Sequence, residues 1–342
     1  MTIVVLGIDL GKSSCSLAGF DGAGRVVLRR RLRRGLVEGF VGGLPPCVVA
    51  MEACCGAHHL GRVFFGQGHE VRLMSPEYVR PYVKAQKTDE RDAEAIAEAA
   101  TRPTMRFVRV KSEAQCDVQA LHRARERLVA ARTGLINQLR ALLLERGITV
   151  PQGRARLAEA LCCFADEETA GVSGRIRLLI EDLRREWRAL DERIAAFDKE
   201  FVAMAREDEA ARLLVSIPGI GAINATALAA AVGDGGSFER GRDLAAWLGL
   251  TPRQHTTGGK PRLLGISKRG NRYLRKNLIH GARAALPYLL RQETPLGRWL
   301  RGLSSRAHKN VVVVALAAKL ARIAWAVLAM GCPYDARRLE AV

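Results

Sequence analysis

The stretch KTDERDAEA, residues 87–95, opens an alanine-rich run that ends near Ala100. Asp89 and Asp92 stand three residues apart, so on a helix both carboxylates lie on one face close to the N-terminus. Mg²⁺ prefers oxygen ligands, and two acids on one helix supply only part of its shell. A solvated first turn whose acids complement the helix dipole explains the same spacing. The metal hypothesis therefore depends on acids elsewhere in the chain.

Two earlier acids each end a short apolar segment. TIVVLGIDL reaches Asp9 near its end, where an acid is a poor strand former, and CVVAME ends in Glu52. Strands are predicted at 2–10, 16–20, 26–32, 47–52 and 71–74, with a helix at 57–66. Three strands, two further helix-connected strands and the Asp89 helix predict an α/β domain that ends near Thr101.

From about residue 111 to 207 the sequence predicts long charged helices. Ser112 can cap the first, and Gly147 and Pro151 stop it. The second carries a heptad seam made of Ile176, Ile180, Leu183, Trp187, Leu190, Ile194, Phe197 and Phe201. An intramolecular hairpin and a dimer-forming coiled coil both fit this seam. A basic face of the first helix, able to lie on a nucleic-acid backbone, comprises Arg123, Arg125, Arg127, Arg132 and Arg140.

The C-terminal part contains two glycine-rich segments. PGIG, residues 218–221, fits a helix-hairpin-helix turn that lets backbone amides approach a phosphate, and it fits a plain tight turn between packed helices as well. GLTPRQHTTGGK, residues 249–260, is predicted to be a mobile basic loop, followed by GISKRGNRYLR at 265–275. The cations predicted to bind nucleic acid here are Arg253, Lys260, Arg262, Lys268, Arg269, Arg272 and Arg275.

The charge of the chain is uneven. The net charge is +19, and residues 242–342 hold 19 Lys and Arg against four acids, which is 19 − 4 = +15. This asymmetry favours a polyanionic partner. The eight cysteines show no CxxC spacing and are predicted to be buried thiols in a reducing cytosol. Lys319 and Arg322 interrupt the apolar run that starts at Val311, so no membrane span is predicted and a cytoplasmic location is expected.

These motifs together resemble one family. GIDLGK, AMEACCG and KTDERDAEAIA, followed by GLTPRQH..GGK and ISKRGNRYLR, are similar to the DEDD transposases of the insertion-sequence one-ten class, particularly its one-one-one-one subgroup. The resemblance implies an α/β RuvC-like domain of the RNase H fold at 1–110, a central helical coiled-coil hairpin at 111–207 and a mostly α transposase domain at 208–342. It also implies that Asp9, Glu52, Asp89 and Asp92 form a tetrad that binds Mg²⁺.

The resemblance assigns a nucleophile as well. In the family, a serine immediately before the first glycine of the GGK loop joins covalently to DNA, and this chain has Thr257 there. Thr256 stays a second candidate because the alignment can slip by one residue. Ser267 is a weaker third, since it is expected to cap the following helix. His255 is considered for proton transfer, although a neutral hydrogen-bonding role is commoner.

The activity implied is that of a DNA recombinase that excises and inserts its own insertion sequence. Its implied partners are donor and target DNA, a structured non-coding bridge RNA that pairs with both, and further copies of the chain in a dimer to tetramer. Sites from two protomers would combine, which favours an oligomeric role for the heptad seam. The expected place of action is the bacterial nucleoid.

Three other functions fit parts of the pattern. A Holliday-junction nuclease would use the same tetrad with water as the nucleophile. A catalytically silent nucleic-acid-binding protein would result if threonine disables the loop, because its β-methyl group restricts the rotamer. GIDLGKS also suggests an ATPase, but the chain has no GxxxxGK[ST] motif.

Overall fold

The computed structural model describes residues 2–83, 88–162 and 172–337. Lys87 of the opening motif and Cys163 lie outside these ranges. The chain forms two compact units, 1–116 and 117–342, and each is described by itself. The three-domain division stays a prediction.

The first unit is built on a mixed six-stranded sheet. Its strands are β1 (Val5–Leu10), β2 (Ser14–Phe20), β3 (Val26–Arg33), β4 (Val48–Glu52), β5 (Glu70–Met74) and β6 (Phe107–Val108), in the order β3-β2-β1-β4-β5-β6. β1, β4 and β5 are parallel, and the remaining pairs are antiparallel. The sheet confirms the predicted strands, whereas the two-residue β6 was not predicted.

Four helices cover the two faces of this sheet. They are α1 (Val37–Gly42), α2 (Ala57–Gly66), α3 (Pro76–Val79) and α4 (Asp89–Ala100). Leu6 and Ile8 of β1 belong to the core that includes α1 and α2, while Val5 belongs to the core that includes α4. Gly7 lies directly under α4, because a Cβ atom on Gly7 would come within 2.2 Å of the Ala93 carbonyl oxygen. Alternation along β1 therefore turns residues 5, 7 and 9 toward α4.

Three long helices follow, α5 (Glu113–Leu144), α6 (Arg154–Cys162) and α7 (Gly174–Glu207). Ser112 caps α5 as predicted, since its Oγ accepts from the Gln115 amide while the Gln115 side chain accepts from the Ser112 amide. The seam of α7 is buried inside the chain, where Ile180, Leu183 and Trp187 join a core with α5 and α6. An intramolecular hairpin thus explains the seam without a second copy.

The predicted basic face of α5 is only partly available to a ligand. Arg125 and Arg132 form ion pairs with Asp198 and Asp191 of α7, and Arg140 donates to the Pro151 and Gly153 carbonyls. These three arginines tie the helical hairpin together, which corrects the prediction. Arg123 and Arg127 are exposed.

The C-terminal part is helical apart from one hairpin. Its elements are α8 (Glu209–Val215), α9 (Ala222–Val232), α10 (Gly241–Trp247), β7 (Pro252–Thr257), β8 (Lys260–Ile266), α11 (Arg272–Leu289), α12 (Pro295–Ser304) and α13 (Lys309–Met330). By length and composition α13 could cross a membrane, but 61% of its most apolar window is buried within the chain, as in a core helix, so the prediction of no membrane span is not overturned. Val313, Leu316 and Leu320 place α13 in the core of this part.

The PGIG turn is explained by packing. Gly219 has a φ of +88°, and a Cβ atom on Gly281 of α11 would lie 1.9 Å from the Gly219 carbonyl oxygen. The turn and α11 thus meet backbone to backbone, as expected of a tight turn between packed helices.

The cysteine prediction was wrong for most of the thiols that the structure describes. Cys15 and Cys47 are buried, whereas Cys54, Cys116 and Cys332 are partly exposed, and Cys55 and Cys162 are fully exposed.

Candidate active site

The sheet brings two of the predicted acids together. β1 and β4 run parallel in the register Ile8 to Met51, so the next residues, Asp9 and Glu52, lie side by side at the ends of their strands. Both occupy positions on the face toward α4, since Val48 and Ala50 pack in the α4 core. Burial and the charges of Glu52 and Asp9 raise the pKa of the Cys54 thiol, as expected if both carboxylates lie close to it.

The other two acids begin the helix on that face. Thr88 caps α4 by accepting a hydrogen bond from the Arg91 amide, and Asp89 and Asp92 lie in the first turn. α4 packs on β1 through Ala93 and Gly7. Glu94 pairs with Arg29, in the row of Gly7, and Asp89 pairs with Arg31, in the row of Asp9. The helix therefore begins at the Asp9 end of the strand. Asp89 forms an ion pair with Arg31 of β3 at 3.5 Å.

The four carboxylates are not grouped around one metal position. Among the residues that the structure describes, no three His, Cys, Asp or Glu side chains are grouped so that they could hold a metal ion. The donor chemistry nevertheless suits a hard divalent cation, because two neighbouring carboxylates end parallel strands and two more begin the covering helix. The structure puts Asp9 and Glu52 at the ends of neighbouring strands, and their part in a metal-binding tetrad stays a prediction.

The predicted mobile loop is a β-hairpin. β7 and β8 are joined by Gly258 and Gly259, whose φ angles of +55° and +75° suit a two-residue type I′ turn. The glycines that suggested a flexible loop are therefore required by a defined turn. Every residue from 252 to 265 is exposed, so neither face of the hairpin is covered within the chain.

The register of the hairpin separates the two candidate threonines. Thr257 pairs with Lys260, and His255 pairs with Arg262, so these four residues share one face. Thr256 pairs with Pro261 on the opposite, uncharged face, where its hydroxyl accepts a hydrogen bond from Gln254 Nε2 at 3.0 Å. Only Thr257 therefore stands on the cationic face.

The base of the hairpin is held by two close backbone contacts. A Cβ atom on Gly249 would lie 2.2 Å from the Arg269 carbonyl oxygen, and one on Gly270 would lie 1.8 Å from that of Trp247. The GLT and KRGN segments thus pack against each other, which requires glycine at both positions.

Two predictions about the segment after the hairpin are corrected. Arg275 is buried, and its guanidinium donates to the Leu248 and Arg269 carbonyls, so it is an internal brace and not a surface cation. Asn271 caps α11 by accepting from the Tyr273 and Leu274 amides, whereas the Ser267 hydroxyl accepts only from the Arg269 amide. The remaining predicted cations are exposed: Arg253, Lys260, Arg262, Lys268, Arg269 and Arg272.

One cationic surface was missed by the sequence reasoning. The edge strand β3 carries exposed arginines at 29, 30, 31 and 33, and the odd-numbered three lie on the α4 face. The net charge of each region showed the largest excess in residues 242–342 and gave no sign of this strand. Arginines at alternate positions of the predicted strand 26–32 were the signal that could have revealed this surface.

Comparison with known proteins places this chain among the transposases. Residues 6–147 match a family model described as a transposase of the DEDD type, and residues 211–293 match one described as the transposase IS116/IS110/IS902 family. The chain is 48% identical over 329 residues to a probable family 20 transposase of Pseudomonas aeruginosa, covering 96% of this chain and 97% of that protein.

Two further relatives belong to named insertion sequences. The transposase of IS1111A from Coxiella burnetii is 44% identical, with 95% of this chain and 90% of the relative covered. The transposase of IS1328 from Yersinia enterocolitica is 43% identical, with 97% and 99% covered. The chain belongs to the IS110/IS116 family of DEDD transposases.

Proposed function

We propose that this transposase is an RNA-guided DNA recombinase of the one-one-one-one subgroup, which excises and inserts its own insertion sequence through a covalent protein–DNA intermediate. Its N-terminal domain would have the RuvC-like form of the RNase H fold. The proposal rests on the hairpin register, in which the Thr257 hydroxyl shares a face with Lys260, Arg262 and His255. A hydroxyl nucleophile surrounded by cations suits attack on a phosphodiester.

The reaction conserves the number of phosphodiester-type bonds. Thr257 Oγ attacks the scissile phosphorus and forms an O–P bond, the bond from phosphorus to the 3′ oxygen breaks, and the hydroxyl proton passes through solvent to the departing 3′ oxygen. A 3′-hydroxyl of the partner strand then attacks the phosphothreonine, and Thr257 regains a proton. No external energy source is needed, because each ester is exchanged for another.

On the cationic face, each neighbour of Thr257 has a separate part. Lys260 lies directly across the strand pair, and directly opposed side chains have Cβ atoms about 5 Å apart. Its ammonium group and the Arg262 guanidinium would hold the phosphate oxygens during attack. His255 stands two residues before Thr257 on the same face and would orient the strand by hydrogen bonding.

The carboxylate site would hold Mg²⁺ through Asp9, Glu52, Asp89 and Asp92. A divalent cation bound there supplies neutralisation of phosphate charge and stabilises a departing oxyanion. Arg31 balances the charge of Asp89 in the structure described.

Sequence choice would come from base pairing of donor and target DNA with a structured non-coding RNA. The protein would then contact backbone and shape, which agrees with the +15 excess of residues 242–342 and with the scarcity of acids there. An assembly of two to four chains, acting on the bacterial nucleoid, would bring the acidic and hydroxyl sites to one DNA.

The proposal is tested with the complete insertion sequence on a plasmid in bacterial cells. The transposase gene on the element is silenced, and the chain or a variant is supplied from a second plasmid. New DNA junctions are counted by quantitative PCR. We expect Thr257→Ala and Asp9→Asn to abolish junctions, Thr257→Ser to retain them, and Thr256→Ala to leave at least half.

Other outcomes select the competing functions. Cleavage that persists in Thr257→Ala and is lost in Asp9→Asn identifies a nuclease that uses water. No junctions and no cleavage with the unchanged chain, together with full activity in Thr257→Ser, show that threonine disables this copy.

A further inference from the structure

The edge strand β3 carries a line of arginines that no step of the proposed reaction uses. Its sequence VVLRRRLR places Arg29, Arg31 and Arg33 on one face and Arg30 on the other. Arg30 stacks over the Phe40 ring at 4.8 Å, on the face that packs with α1 and α2. The three odd-numbered residues, which we call the arginine stripe, lie on the face that carries α4.

The stripe runs beside the acids in a defined register. Arg31 pairs with Ser16 of β2, Ser16 pairs with Asp9 of β1, and the parallel register continues to Glu52 of β4. One row across the sheet therefore contains a guanidinium, a small hydroxyl residue and two carboxylates. Neighbouring strands are about 4.8 Å apart, so the Arg31 and Asp9 backbones are separated by about 10 Å.

Directly opposite the stripe, β2 presents only small residues on this face, whereas its last residue, Phe20, packs in the α4 core. Ser14, Ser16 and Ala18 of β2 stand opposite Arg33, Arg31 and Arg29. Small side chains on β2 leave the long guanidinium groups room to extend over this face toward α4, where Arg29 and Arg31 reach Glu94 and Asp89.

The three arginines of the stripe differ in how they are bound within the chain. Arg29 donates to Glu94 at 2.6 Å. Arg31 is 65% exposed, contacts Asp89 at 3.5 Å and donates to the Ser14 hydroxyl. Arg33 is exposed at the end of the strand. The ion pair between Arg31 and Asp89 is long and both side chains are exposed, so a phosphate can replace it at small cost.

Charges on an edge strand also prevent edge-to-edge association, and that role explains a charge on either face. It does not explain why the central charge on the α4 face, Arg31, lies in the row of the sheet that contains Asp9. Arginine presents a planar fork that matches two phosphate oxygens.

We propose that the arginine stripe binds the phosphodiester backbone of the DNA strand that enters the carboxylate site, with Arg31 and Arg33 as its main contacts. The assignment rests on the proposed function, because it takes DNA as the substrate of that site. One strand, β2, separates the stripe from Asp9, so the stripe would hold phosphates that flank the scissile one.

The test measures binding and requires no catalysis. A fluorescein-labelled DNA duplex of random sequence is titrated with the full chain in EDTA at several salt concentrations, and the slope of log K against log salt is obtained from anisotropy. We expect the double variant Arg31→Gln/Arg33→Gln to reduce the slope by about 1.8, since each phosphate contact contributes about 0.9. Arg30→Gln, a matched loss of charge on the other face of the strand, should leave it unchanged.

Two further variants guard against misfolding. Arg33→Gln alone removes the most peripheral member and should reduce the slope by about 0.9. Arg31→Lys/Arg33→Lys keeps both charges and should restore the slope while weakening affinity, because the bidentate fork is lost.

The proposal is overturned if the double variant keeps the slope, or if Arg30→Gln reduces it equally. It is also overturned if the loss appears with single-stranded RNA of random sequence and not with DNA. The assay is carried out in EDTA and measures binding alone, so failure of the stripe and failure of the covalent mechanism are distinguished.

Discussion

Arg275 shows how one residue can belong to a basic motif and still serve the fold. It follows Arg272 by three positions in the same helix, yet Arg272 is exposed and Arg275 is buried against two carbonyl oxygens. Composition cannot separate them, because both are arginines in one cationic run. The difference comes from the close packing of Gly249 and Gly270, which closes the space around Arg275.

Arg275→Ala should lower the free energy of unfolding by about 2–4 kcal/mol, since it leaves two carbonyls without their donor. Arg272→Ala should change the free energy of unfolding by less than about 0.5 kcal/mol and should instead weaken DNA binding. Urea unfolding and the salt dependence of DNA binding measure the two effects. Equal losses of stability in the two variants would contradict the structural role of Arg275.

His122 is a buried junction between four helices. Its ring stacks on Phe201 at 3.9 Å, and its nitrogens contact the Tyr273 hydroxyl at 2.9 Å and the Thr226 hydroxyl at 3.1 Å. Thr226 donates to the Ala222 carbonyl, so its oxygen accepts from Nε2–H and the Tyr273 hydroxyl donates to Nδ1. The network requires neutral imidazole.

Burial, and secondarily the charge of Arg125, lowers the pKa of His122 from 6.5 to about 4. The unfolded chain therefore binds a proton that the folded chain does not bind between these values, and stability falls as pH is lowered through this window. The loss should approach about 3 kcal/mol. Urea midpoints measured from pH 7 to pH 4 test this. His122→Gln should flatten that part of the profile, whereas the exposed His280→Gln should leave it unchanged.

The element that positions the acids is α4, and its seat on β1 depends on Gly7. Gly7→Ala would place a methyl group 2.2 Å from the Ala93 carbonyl oxygen and 2.6 Å from the Ala97 amide nitrogen, so the helix must move away from the sheet. We expect a loss of about 3 kcal/mol or more in unfolding free energy, with reduced junction formation.

Gly39→Ala is the control for that change. Gly39 lies inside α1 and has open space where a methyl group would be added. The substitution should stabilise the chain by up to about 1 kcal/mol, because alanine favours the helix. Thermal unfolding compares the variants, and similar effects of both would show that α4 does not need close contact with β1.

At the level of elements, much was predictable from local patterns. α2 was predicted with the bounds found, Ala57–Gly66, and Ser112 was identified as a cap. The hairpin was missed because GG looks flexible until two strands fix its φ angles. The two threonines could not be separated from the sequence alone, since adjacent residues gain different faces only when the strand pairing is known.

For the whole molecule, the order of motifs predicted the family and the α/β class of the first unit, because each motif is local. It could not predict how the seam of α7 is covered. A heptad pattern specifies an apolar stripe and not its partner, and here α5 and α6 supply that partner. Regional charge counts likewise could not predict the arginine stripe. Its position beside the carboxylates depends on the pairing of four strands, which the counts do not contain.

Recombination by the proposed mechanism requires two separate sites to act on one DNA. The carboxylates lie in the first unit, and the hydroxyl and its cations lie in the second. Neither site alone performs recombination in this scheme, since the proposed nucleophile, Thr257, lies on the hairpin and the hairpin has no acid between 252 and 266. In a reaction with the purified chain, removing divalent metal with EDTA should therefore stop junction formation while DNA binding persists.

The most direct measurement is the chemical location of the protein–DNA bond. The purified chain is incubated with Mg²⁺, RNA transcribed from the non-coding part of its element, and DNA carrying the complete element with both flanks. After denaturation and nuclease digestion, trypsin should release peptide 254–262, because the Lys260–Pro261 bond resists cleavage. Tandem mass spectrometry should find a nucleotide remnant on Thr257. A remnant on Thr256 or Ser267, or cleaved DNA without any adduct, would contradict the account.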